Sequence, residues 1–138
     1  MIFFDTSVWI RFLRSSKKEQ QTEYFQKNIF APIVNLNVAI NPIVMYELLQ
    51  GARLEKHYED IEMIKKSAKH SNVSSEVYEY AGQLSGKLLR KNKRLPMADI
   101  LIASHCILQQ HELISFDSHF LLIQTIDSSL QFTQLKVT

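Results

Sequence analysis

The chain has 138 residues, the usual size of one compact domain, with 46% hydrophobic and 22% charged residues and a net charge of +2. That balance excludes a disordered or fibrous chain, and so small a charge permits an anionic partner without demanding one. A single cysteine, Cys106, leaves no internal disulfide, and no stretch approaches a membrane span; the composition describes a soluble, cytoplasmic single domain over residues 1–138, with no membrane partner.

The apolar residues Ile2-Phe3-Phe4, ended by Asp5-Thr6-Ser7, suit a strand buried on both faces. Thr6 or Ser7 is placed to cap a helix through Val8, Ile10, Phe12 and Leu13. The polar residues 15–21 lead into a second helix around Tyr24 and Phe25, and residues 34–40 alternate well enough for a second strand. Asn41-Pro42 reads as a helix start, with asparagine as cap and proline in the first turn, and the helix runs through Met45, Leu48 and Leu49 to about Gly51. A charged helix over residues 57–69 is followed by a break at 71–75. Val77, Tyr80, Ala81, Leu84, Leu88 and Leu89 then mark an amphipathic helix that ends in a basic run. Pro96 restarts the chain into a very apolar helix over residues 97–108. Leu113 to Phe116 form a short strand ended by Asp117-Ser118, and residues 126–137 hold an edge strand or two. Strands separated by helices imply crossover connections and a mostly parallel α/β sheet.

Two strands end alike, in Phe4-Asp5-Thr6 and Phe116-Asp117-Ser118, and parallel strands would carry both carboxylates to one rim, where such sheets collect ligands. Taken singly, each acid has an ordinary explanation. Asp5 and Asp117 precede helices and suit capping, Asp99 lies in a first helical turn, and Glu47 fits a solvated helix face. Their neighbours shift the balance. Asp99 shares a helical face with Ile102, Ala103 and Cys106, and Glu47 one with Ile43, Val44 and Gly51, and a lone carboxylate on an apolar face is costly unless compensated. One shared acidic pocket around Asp5, Glu47, Asp99 and Asp117 accounts for all four, and such a pocket is stable mainly around a cation. Oxygen ligands, with no histidine or cysteine at a ligand spacing, favour Mg²⁺ or Mn²⁺ over zinc, the usual equipment for phosphate chemistry.

At these residues the sequence resembles the PIN-domain family. The likeness is carried by MIFFDTSVWI, PIVMYELLQGA and MADILIASHCILQQHELISFDSHF, which follow family order along the whole chain. It implies a three-layer α/β sandwich with a central parallel sheet flanked by helices. It also implies a metal-dependent endoribonuclease, of the kind that includes the VapC-type toxins of type II toxin–antitoxin pairs. Asp5 matches the family's first acid, Glu47 the second, and Asp99 the acid of an Asp-x-x-Ile-Ala pattern. Asp117 matches the acid of a Thr-x-Asp-x-x-Phe context, here Ser115-Phe116-Asp117-Ser118-His119-Phe120. Thr6 and Ser7 match hydroxyl residues that help orient a water. The resemblance therefore implies Mg²⁺ or Mn²⁺ between Asp5, Asp99 and Asp117, with Glu47 steering the attacking water. It further implies an RNA substrate, a cognate antitoxin protein and a homodimer. The competing reading is a catalytically silent PIN-like module that binds RNA or protein. A receiver-like domain would need paired acids after the first strand, and an aspartyl phosphatase an acid in place of Ser7.

The remaining features divide between structure and substrate contact. Lys87, Arg90, Lys91, Lys93 and Arg94 complement a helix C-terminus and equally suit an RNA backbone leading towards Asp99; Arg11 and Arg14 are similar candidates. His111-Glu112 lacks the second histidine of a zinc motif, so the five histidines read as structural or surface residues. Gly82 and Gly86 suit close helix packing, Cys106 and Trp9 suit the core, and the apolar residues of the 24–30 and 57–69 helices suit a groove for an antitoxin peptide.

Overall fold

A computed structural model describes residues 1–137. Five short strands, β1 (Ile2–Phe4), β2 (Val38–Ile40), β3 (Lys69–His70), β4 (Glu112–Ser115) and β5 (Gln131–Gln134), form one sheet in the order β3-β2-β1-β4-β5. Every neighbouring pair is parallel, with Phe4 of β1 opposite Ile114 of β4. β1 lies at the centre, and Phe3, Phe4, Leu113 and Ile114 are buried, as its run of consecutive apolar residues requires.

The helices are α1 (Thr6–Arg14), α2 (Lys17–Gln20), α3 (Glu23–Phe25), α4 (Ala31–Val34), α5 (Pro42–Gly51), α6 (Glu55–Ser67), α7 (Ser75–Arg90), α8 (Met97–Gln109) and α9 (His119–Ile126). With this strand order, right-handed crossovers assign α1 to α6 to one face of the sheet and α7 to α9 to the other. α1 packs on α5, and α7 on α8 and α9, in keeping with that division, while α5 also meets α8. From β1 the chain moves outward to β2 and β3, and from β4 outward the other way to β5. The β1/β4 boundary is therefore the switch point, with a crevice at its carboxyl end.

Several local expectations are met. Asn41 caps α5, its Oδ1 accepting from the Val44 N–H at 3.0 Å, with Pro42 in the first turn. α8 is sheathed on nearly every side, with residues 100–106 all buried, and Cys106 is fully enclosed. Trp9 is fully buried against Phe4.

Four details differ. Of the residues expected to suit capping of α1, Asp5 takes the role and Thr6 and Ser7 do not: Asp5 Oδ1 accepts from the Ser7 N–H at 3.1 Å, because a carboxylate at the strand end reaches the first helical turn better than the hydroxyls inside it. The second strand is confined to residues 38–40, since Val34 belongs to α4 and Leu36 turns the chain with a left-handed φ of 54°. A two-residue strand, β3, lies in the polar stretch just before the 71–75 break, held by backbone pairing that polar side chains do not advertise. Gly82 faces open space, and a Cβ on Gly86 would meet only the Arg90 side chain, so neither glycine mediates close packing among the described residues. Between α3 and α4, residues Gln26–Phe30 form one π-helical turn, and Phe25 and Phe30 meet edge-on with centroids 5.0 Å apart. No helix among the described residues is long and apolar enough to cross a membrane.

Candidate metal centre

Asp5 leaves β1 directly into α1, and its carboxylate is only 6% exposed. Both oxygens are held. Oδ1 accepts from the Ser7 hydroxyl at 2.6 Å and Oδ2 from the Ser115 hydroxyl at 2.8 Å. Burial drives its pKa up to about 6, with the negative charge of Asp99 adding to the rise and the two serines opposing it. Ser115 is the last residue of β4 and is fully buried; besides donating to Asp5 it accepts the Asp117 backbone N–H at 2.9 Å. One hydroxyl thus fixes two of the acids relative to each other. Sequence reasoning passed over Ser115, and the only available signal was its place two residues before Asp117.

Asp99 lies in the first turn of α8, half sheltered, and burial raises its carboxyl, with the nearby Asp117 charge acting in the same direction. Asp117 caps the turn into α9: its Oδ1 accepts the His119 N–H at 2.9 Å. His119 then swings its ring over both acids. Its Nδ1 lies 3.0 Å from Asp99 Oδ2 and 3.3 Å from Asp117 Oδ2, and the hydrogen bond to Asp99 raises its pKa. One ligand atom from each of Asp99, Asp117 and His119 lies within 4.8 Å of the others, and among the described residues this is the one group of three metal-ligating side chains so placed. A histidine nitrogen thus stands beside two of the expected oxygen donors.

Glu47 stands apart from that group. It projects from α5, where its Oε1 accepts the Thr6 hydroxyl at 2.6 Å, so α5 is tied to the residue that follows Asp5. The structure thus gathers Asp99, Asp117 and His119 tightly, backs them with Asp5 through Ser7 and Ser115, and sets Glu47 and Thr6 at the margin. Glu47 also lines a cleft of about 450 Å³ between α1, α5 and α6, together with Leu13, Arg14, Leu48, His57 and Asp60. Of the two segments expected to line a groove, only α6 borders this cleft, and residues 24–30 do not. A separate shallow cleft runs along residues 23–35, past Phe30 and Val34.

The basic residues differ in availability. Arg11 is engaged with Glu19 through Nε and Nη2, the latter at 2.6 Å, whereas Arg14 is exposed beside the Glu47 cleft. Lys87, Arg90, Lys91, Lys93 and Arg94 are all exposed, and none forms a salt bridge among the described residues. Lys93 and Arg94 border a cleft of about 410 Å³ between α7 and α8, which opens past Tyr78, Gly82 and Met97.

Fold and site together define the class: a parallel α/β protein whose carboxylates converge at the switch point of its sheet. The chain belongs to the PIN-domain family, whose model, described as PIN domain, matches residues 2–124. No curated protein matches the chain by sequence. Among solved structures it is similar in fold to a chain of VapBC2 from Rickettsia felis bound to a DNA fragment from their promoter, with a TM-score of 0.76, 20% identity, and coverage of 99% of this chain and 100% of that one. DNA-bound VapBC from Salmonella typhimurium gives 0.73 at 16% identity, covering 97% and 98%. A toxin–antitoxin complex from Klebsiella pneumoniae gives 0.68 at 18%, covering 99% and 100%.

Proposed function

We propose that this chain is a divalent-metal-dependent endoribonuclease and the toxin of a type II toxin–antitoxin pair. The observation that carries the reading is the convergence of Asp99, Asp117 and His119 within 4.8 Å, with the buried Asp5 tied to Asp117 through Ser115. PIN domains are generally nucleases, which supports reading this centre as one for phosphodiester hydrolysis.

The residues fit a divalent ion. Two carboxylates are held close enough for each to feel the other's charge, which a cation relieves, and both acids and the imidazole offer donors at one place. Asp99 and Asp117 would hold Mg²⁺ or Mn²⁺, with Asp5 close behind. When bound, the ion offsets negative charge on the phosphodiester and makes a nearby water more acidic. The chain's own residues do the rest. Ser115 and Ser7 orient Asp5, and Ser115 also sets the turn that aims Asp117. Glu47, steadied by Thr6 at the margin of the group, would orient the water for in-line attack, leaving a 5′-phosphate and a 3′-hydroxyl. Lys91, Lys93 and Arg94, exposed and unpaired, draw the RNA backbone towards the first turn of α8.

The partner reading rests on the solved neighbours, which are toxin–antitoxin complexes, and on the cleft between α1, α5 and α6. A homodimer is the arrangement the family likeness carries with it.

The decisive experiment is cleavage of a mixed cellular RNA by purified protein with Mg²⁺ or Mn²⁺, with chelator, and with Asp99→Asn prepared identically. Cutting that needs metal and vanishes in the variant supports the nuclease. RNA binding without cutting by wild type would point to the silent binding module instead.

A further inference from the structure

His119 has geometry that its surface position does not require. Its backbone N–H is bonded to Asp117 Oδ1, which turns the other oxygen, Oδ2, towards its own ring. Phe120, the next residue, is fully buried and anchors the first turn of α9. The ring therefore stands over Asp99 and Asp117 on a fixed backbone while its edge remains open to solvent. Donors on adjacent corners of an octahedral ion bound at about 2.1 Å lie about 3 Å apart. Nδ1 stands 3.0 Å from Asp99 Oδ2 and 3.3 Å from Asp117 Oδ2, which are edges of that size.

We propose that His119 is a direct nitrogen ligand of the divalent ion, completing a set with Asp99 and Asp117 and biasing the centre towards Mn²⁺ over Mg²⁺. The inference rests on the metal-centre reading above and adds to it the identity of one ligand and the resulting preference. Imidazole nitrogen is accepted readily by first-row transition ions and poorly by Mg²⁺, which keeps oxygen ligands and water. Nδ1 binds through its lone pair, with the ring proton on Nε2 facing solvent, so coordination replaces the contact with Asp99 rather than adding to it.

The test is pulsed electron paramagnetic resonance on Mn²⁺ added to the full chain, wild type and His119→Gln, with Mn²⁺ and Mg²⁺ affinities from calorimetry and the melting temperature as a folding control. Nitrogen coupling to Mn²⁺ is expected in wild type and absent in His119→Gln. The variant should lose about 10- to 100-fold in Mn²⁺ affinity, the span seen when a supporting group of a metal site is removed, with little change for Mg²⁺. Mn²⁺ that binds wild type without nitrogen coupling, yet is lost in Asp99→Asn, overturns the His119 ligand and leaves the carboxylate centre standing. Failure of wild type to bind Mn²⁺ at all overturns both.

Discussion

Towards the end of α8 away from Asp99, His105 is fully buried, and among the described residues neither of its ring nitrogens has a hydrogen-bond partner. Phe3 lies 5.6 Å from it and His111 5.8 Å, centroid to centroid. Burial lowers the His105 pKa from 6.5 to about 4, and the neighbouring His111 adds to the effect. His111 is lowered as well, by burial and then by the positive N-terminus of Met1 and by Lys69. In the unfolded chain His105 takes up a proton near pH 6.5, but in the fold it stays neutral until about pH 4. Stability is therefore lost as pH falls through that window. The whole interval is worth about 3 kcal/mol, of which about 2 kcal/mol is gone at pH 5. Asp5 acts in the opposite sense, because its raised carboxyl, near 6, takes up a proton in the fold before it does in the unfolded chain. The informative quantity is therefore a difference between proteins. Urea unfolding of wild type and His105→Phe at pH 7.5 and pH 5.0 should show wild type losing about 2 kcal/mol more than the variant on acidification. Phenylalanine keeps an aromatic ring beside Phe3 and removes two unpartnered nitrogens. Equal pH dependence of the two proteins would refute the claim that His105 stays neutral inside the fold.

Removing the Ser115 hydroxyl with Ser115→Ala should lower the cleavage rate by about 10- to 100-fold while leaving the protein folded, read from RNA cleavage and circular dichroism, because Asp5 and Asp117 lose their common tether. Asp117→Asn should cost more, about 100-fold or above, as expected when a group acting on transition-state charge is neutralised. Replacing Lys91, Lys93 and Arg94 together by glutamine should weaken binding of single-stranded RNA and reduce the slope of log affinity against log salt by about 2. An unchanged slope would leave these residues only their helix-end role. Leu36→Gly should raise unfolding free energy by about 1 kcal/mol, since Leu36 is 72% exposed and holds a left-handed φ of 54° that glycine adopts without strain.

Much of the fold was legible because its signals are local. The Asn41-Pro42 start, the apolar face of α7 and the continuous apolar run of β1 each say what they are within a few residues. β3 was not legible, because Lys69 and His70 are exposed and polar, and only the backbone of Ile40 and its neighbours makes them a strand. The acids of the centre were readable in order along the chain, and so was a shared pocket, but not that Glu47 stands at its margin while His119 lies within it. The sequence leaves the role of His119 open, and spacing does not show that the cap at Asp117 turns its ring over Asp99. Arg11 is an expected RNA contact, and spacing does not show that Glu19, eight residues on, pairs with its guanidinium. Both cases turn on side-chain direction after a turn, which residue spacing alone does not encode.

The strand order carries one more consequence, for the newly made chain. The central strand β1 is flanked on one side by β4, and Ser115 at the end of β4 grips Asp5 across a separation of 110 residues. Neither half of the centre has its geometry until the other has emerged from the ribosome and threaded alongside. Such long-range closure comes late in folding. A growing or prematurely ended polypeptide therefore carries Asp5 without the seryl tether and without Asp117 or His119. The topology itself therefore withholds the assembled centre until the residues of β4 and the first turn of α9 have been made.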